Sequence, residues 1–316
     1  MGAHVGHRRR CLLGVAGIVT AILAMTLGSC SSGSSAPDSS SSGGGRLQVV
    51  ATENFWGSIA AQLGGDRVAV KSIITNPGTD PHSYEPTPAD GRTVASAKYV
   101  IYDGIGYDPW TQKVLSANRA SGRVTLNVGA LVGIKPGGNP HRWYSPPDVQ
   151  AVIDRITADY QRLSPSDASF FDQQRTTFTS TALSQYHALI NQIKTKYAGT
   201  PVGASESIFT PLADALGLNL LTPETFLDAI SEGGDPTVAD KATIDTQIKT
   251  KQIKVYVYNS QNSTPDIQTQ VNQVKAEGIP VTTITETLTP PNLSFEAWQV
   301  RQLQGIEAAL AQATGR

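Results

Sequence analysis

Eight short runs rich in β-branched and aromatic residues fall into two sets of four, and a stretch free of proline and glycine, Ser166–Ala198, separates the sets. The first set is Leu47–Thr52, Val68–Ile74, Tyr99–Tyr102 and Val124–Asn127. The second is Pro201–Ala204, Leu218–Leu221, Lys254–Tyr258 and Val281–Ile284. Runs of this length at this spacing predict strands alternating with helices. Such alternation builds parallel sheets with helices on both faces, so the chain should form two α/β lobes.

Proline behind a capping residue marks several helix starts: Thr87-Pro88, Ser145-Pro146, Ser164-Pro165 and Asp235-Pro236. The third opens the segment between the two sets, where Phe170, Phe171, Phe178, Leu183, Tyr186, Leu189, Ile190 and Ile193 fall largely at helical spacing. A helix of about 30 residues would be about 45 Å long. It is expected to be one long rigid strut, residues 165–197, between an N-terminal lobe at 46–164 and a C-terminal lobe at 198–316. His187 on this helix is expected to be structural.

Residues 1–29 read as an export signal, with His7-Arg8-Arg9-Arg10 before the apolar run Cys11–Leu27. Leu27-Gly28-Ser29-Cys30 resembles the bacterial lipobox, in which a signal peptidase cuts before the cysteine and the thiol carries the lipid. The Ser/Gly stretch that follows, to residue 45, has almost nothing apolar to bury and suits a disordered tether. The two cysteines of the chain are Cys11 and Cys30. The folded part is therefore expected to lack disulfides, thiolate metal sites and cysteine nucleophiles. Lys and Arg number 25 against 26 Asp and Glu, and no clustered basic face suggests nucleic acid as a partner.

Only five histidines occur, and His4 and His7 belong to the leader. Two of the other three sit in matching loops, "DPHSYEP" at 80–86 and "NPHRWYSP" at 139–146. His82 follows the second strand and His141 the fourth, at the carboxyl ends where ligands bind in open parallel sheets. Prolines on each side stiffen both loops and lower the entropy lost in fixing an imidazole. Paired imidazoles without cysteine suggest zinc or manganese, completed by oxygen ligands. Glu206 and Glu286, each just after a strand of the second lobe, are the matching carboxylates, with Glu53, Glu85 and Asp80 as nearby competitors.

The lipobox leader, "ATENFWGSIA" (51–60), "DPHSYEPTPAD" (80–90), "NPHRWYSP" (139–146), "GASESIFTPLADALGL" (203–218) and "TETLTP" (285–290) together resemble the metal-binding solute-binding lipoproteins of bacterial zinc and manganese ABC importers. The resemblance runs over residues 47–310. It implies α/β lobes joined by one long rigid helix, with a single Zn²⁺ or Mn²⁺ ion carried at their interface and handed to a membrane permease. By position it implies His82, His141, Glu206 and Glu286 as ligands. The fourth position is usually aspartate, so Glu286 departs from the pattern by one methylene. The His- and acid-rich loop of some zinc-specific members is absent, since Gly104–Pro140 contains no histidine.

The expectation is a non-catalytic receptor, monomeric, on the outer face of the cell membrane and anchored through Cys30. Four protein ligands leave no position reserved for water or substrate. The alternatives are an exported metal-dependent hydrolase, with Glu85 or Glu206 as base, or a receptor for a siderophore-type ligand. Neither HExxH nor G-x-S-x-G supports the first, and the second leaves the paired histidine loops without a purpose.

Overall fold

Parallel pairing gathers the strands into two sheets of four. The computed structural model describes residues 45–316, and Gly45–Arg316 forms one compact unit. The signal segment, Cys30 and the tether as far as residue 44 lie outside the described residues. The first sheet contains β1 (Leu47–Glu53), β2 (Val68–Ile74), β3 (Tyr99–Tyr102) and β4 (Val124–Asn127) in the order β2-β1-β3-β4. The second contains β5 (Pro201–Ala204), β6 (Asn219–Leu220), β7 (Val255–Asn259) and β8 (Val281–Ile284) in the order β6-β5-β7-β8. Both orders reverse direction beside the first strand of the set. That reversal opens a crevice at the carboxyl ends of β1 and β3, and another at those of β5 and β7.

The central strands are apolar because helices cover both faces: every residue of β3 is buried, and so are Val202, Gly203 and Ala204 of β5. Two expected strands move slightly. Leu218–Leu221 shrinks to Asn219–Leu220, and Lys254–Tyr258 shifts by one residue, which brings Asn259 to the end of β7.

Helix starts follow the proline signals with one exception. Thr87 forms a reciprocal cap with Asp90 ahead of the helix Pro88–Ser96. Asp235-Pro236 does not begin a helix. Thr237 caps the helix Val238–Lys249 instead, its hydroxyl accepting from the Asp240 N–H.

The linking segment is helical but not uniform. A 3₁₀ turn at Pro165–Asp167 leads into the helix Ala168–Thr177, a π-helical turn at Phe178–Ala182, and the helix Ser184–Tyr197. The widened turn falls in a run of hydroxyl residues. Thr179 and Ser180 donate to the carbonyls of Arg175 and Thr176, competing with the regular backbone ladder. His187 lies half-buried on the last helix beside Tyr186.

A single hydrophobic cluster runs through both lobes, from Val49 in β1 to Leu310 in the helix Phe295–Thr314. At the seam, Phe55 stacks on Trp143 at 4.1 Å between ring centres, and Trp298 of the C-terminal helix lies 6.5 Å from Phe55 and 5.6 Å from Tyr144. Polar contacts reinforce the join. The Tyr144 hydroxyl donates to the Thr285 carbonyl (2.8 Å), Gln299 to the Trp143 carbonyl (3.2 Å), and the Phe295 N–H to Ser58 Oγ (2.9 Å).

Candidate metal centre

His141 reaches the crevice on the loop between the short helix Val128–Val132 and the helix Pro146–Leu163. Its ring is fully buried against Trp143, 5.2 Å away edge to face. Asn139 fixes the tautomer. Its Nδ2 donates to the Ser207 carbonyl (2.7 Å), so the amide cannot turn over, and its Oδ1 must accept from His141 Nδ1–H (2.9 Å). Nε2 is thereby left with a free lone pair, buried and without a partner, which is the arrangement a metal-binding imidazole needs. Burial pushes the imidazole down to about 4, so the ring is neutral at physiological pH.

His82 sits on the loop after β2, where Asp80 closes a tight turn by accepting the His82 N–H (2.9 Å) and the Ser83 hydroxyl (2.8 Å). Its ring centre is 6.4 Å from that of His141, and its Nε2 is likewise buried without a partner. Burial again lowers the imidazole below its ordinary range.

Glu206 and Glu286 enter from the second lobe, after β5 and β8. Glu286 Oε2 stands 3.7 Å from His141 Nε2 and accepts from the Tyr107 hydroxyl at 2.8 Å. Glu206 is fully buried. Burial first, and the neighbouring Glu286 second, push its carboxyl up to about 8. Glu286 is raised as well, chiefly by burial. The structure thus draws all four of these side chains to one crevice, with His82 and Glu286 lining its opening and His141 and Glu206 buried. Among the competitors, Glu85 is exposed, Asp80 is spent on the loop turn, and Glu53 is buried against Thr52.

Among the described residues, however, no three His, Cys, Asp or Glu side chains stand close enough to hold an ion as they are. The four oxygens of the two carboxylates are all engaged by neutral donors. Asn259 Nδ2 donates to Oε1 of both Glu206 (2.5 Å) and Glu286 (2.9 Å). Asn262 Nδ2 holds Glu206 Oε2 (2.6 Å), and Tyr107 holds Glu286 Oε2.

The cleft opens outward through a cavity of about 390 Å³ lined by Pro77, Asp80, His82, Glu232, Gln261 and Glu286. A larger hollow of about 480 Å³ lies in the second lobe between Phe226, Ile230 and Ile267, with no imidazole in its lining.

A family model described as the periplasmic zinc-uptake complex component A matches residues 49–309. The chain belongs to this family. It is an extracytoplasmic solute-binding protein that takes a divalent metal, homologous to the receptors of ABC importers, and not an enzyme.

A putative metal-binding protein of Treponema pallidum (strain Nichols) is 26% identical over 48% of this chain, an alignment that spans about half of that relative's length (53%). The metal ABC transporter substrate-binding lipoprotein FimA of Streptococcus parasanguinis is 25% identical over 79% of this chain and 84% of its own. Among solved structures, the Mn-bound periplasmic metal-binding protein from Candidatus Liberibacter asiaticus superposes with a TM-score of 0.69 at 20% identity, over 84% of this chain and all (100%) of that one. The periplasmic zinc-binding protein TroA of Treponema pallidum also gives 0.69, at 18% identity, over 85% and 99%. These two likenesses bear on the fold, which is the two-lobed α/β architecture of the zinc-uptake component family.

Sequence reasoning passed over Tyr107, Asn259, Gln261 and Asn262. Tyr107 is presented by a tight turn in which Gly104 (φ 76°) and Gly106 (φ 100°) flank Ile105 (φ 61°). A Cβ on Gly104 would meet Asn127 Oδ1 at 2.6 Å, and Asp108 closes the turn by accepting the Gly104 N–H at 2.8 Å. The glycines of "GIGYDP" are a local turn signal, but they do not say where the tyrosine points.

Proposed function

We propose that His82, His141, Glu206 and Glu286 together bind one Zn²⁺ or Mn²⁺ ion between the lobes, and that the loaded protein hands this cargo to the permease of an ABC importer. In this reading the protein acts as a monomer, with Cys30 carrying the lipid, residues 30–45 serving as the tether, and the strut at 165–197 holding the lobes in register. The observation that supports it most is the meeting of two imidazoles with unpartnered, buried Nε2 atoms from one sheet with two buried carboxylates from the other, both bound to Asn259. Nitrogen and oxygen donors without sulfur suit both metals. The FimA and TroA relatives carry metal- and zinc-binding names, in keeping with this cargo.

Calorimetric titration of the purified protein with Zn²⁺ and Mn²⁺ tests the proposal. One tight site is expected, lost in both His82→Ala and His141→Ala while the folded baseline is kept. Undiminished binding in either variant would refute the assignment of that histidine.

A further inference from the structure

We infer that Asn259 limits each carboxylate of the cleft to a single metal-binding oxygen and so tilts the site toward a four-coordinate ion; this deepens, and rests on, the ligand assignment above. Asn259 ends β7, beside β5 at the point where the sheet order reverses, and is fully buried. A primary amide has two N–H bonds, and here one nitrogen serves Glu206 Oε1 and Glu286 Oε1 together. The amide cannot turn over, because its Oδ1 accepts the Gln261 N–H at 3.0 Å. The Asn259 backbone N–H is tied to Ser205 Oγ, also at 3.0 Å.

The donors on the other two oxygens are freer to leave. Asn262 is half-buried and has a second acceptor in the Ile230 carbonyl at 3.2 Å. The Tyr107 hydroxyl hydrogen can rotate, and Glu286 Oε2, which it holds, already faces His141. The two Oε2 atoms are therefore the ones a cation can claim, while both Oε1 atoms stay on Asn259. Two imidazole nitrogens and two single oxygens make a four-coordinate sphere, the geometry Zn²⁺ adopts in protein sites. Mn²⁺ favours more oxygen donors, which chelating carboxylates would supply. Removing the amide frees both Oε1 atoms and permits that expansion.

The test loads the purified protein with Co²⁺ alone, whose visible absorption is intense in four-coordinate sites and weak in five- or six-coordinate ones. Zn²⁺ and Mn²⁺ affinities are measured alongside by competition. Asn259→Ala and the near-isosteric Asn259→Leu both delete the donor, so that one remains informative if the other folds poorly. The native protein is expected to give the intense spectrum, and the variants a weaker one with a Zn²⁺-to-Mn²⁺ affinity ratio lower by about tenfold. A weak native spectrum, or variants matching the native protein in both spectrum and ratio, overturns the inference. Undiminished binding in both His82→Ala and His141→Ala would instead remove the ligand assignment beneath it, which separates the two failures.

Discussion

Glu206 keeps a proton that a surface glutamate would have lost, because burial and Glu286 raise its carboxyl to about 8. A carboxyl raised on folding contributes stability that is fully present below the ordinary carboxylate range and lost as pH rises through the raised value. The buried Asp103 and Glu53 are raised in the same sense, and Asp108 to about 6. His141 acts at the other end. Lowered to about 4, it contributes stability present above the ordinary imidazole range and lost as pH falls through about 4. Without metal, the melting temperature in scanning calorimetry is therefore expected to be lower near pH ~9 than near pH ~6. Metal must displace the proton that Glu206 retains but finds both imidazoles already neutral. Near neutral pH, uptake of one ion is expected to release about one proton, read from titrations in buffers of different ionisation enthalpy.

Between the residues and the lobes stands the loop after β7, in which Gln261 straps the two halves of the cleft together. Its Nε2 donates across the opening to the Pro77 carbonyl (2.6 Å) and on its own side to Thr287 Oγ1 (2.9 Å), while its Oε1 accepts the Thr287 N–H (2.9 Å). Pro77 belongs to the loop that carries His82. Gln261→Ala is expected to loosen that loop by about 1 kcal/mol, measured as faster amide hydrogen exchange over residues 77–83 with exchange in β1 and β3 unchanged. The strands and the histidine loops were legible in the sequence because they rest on local signals: β-branched runs, flanking prolines and position after a strand. The amide donors were not. Asn259, Gln261 and Asn262 act through partners up to 184 residues away, and a run such as "NSQN" reads locally as an ordinary turn. The misplaced helix start at Asp235-Pro236 has a local cause, since Thr237, two residues on, takes the cap by accepting the Asp240 N–H.

For the molecule as a whole, the lobes that look separate in the strand pattern share one core. Trp298, wholly buried, touches the aromatic tier of the first lobe while its Nε1 donates to Thr285 Oγ1 of the second at 2.8 Å. Trp298→Ala is expected to cost about 3–5 kcal/mol and to weaken both halves together. Calorimetric and van't Hoff enthalpies should remain equal in a single transition, whereas two resolved transitions would show that the halves fold independently.

That shared tier bears on how such receptors can be recombined. A hybrid joining the amino-terminal half of this protein to the carboxy-terminal half of a relative with another metal preference would inherit a mismatched wall of rings where Phe55, Trp143, Tyr144 and Trp298 now interlock. Grafting would therefore have to carry those four rings across as a block, even though none of them is among the proposed ligands.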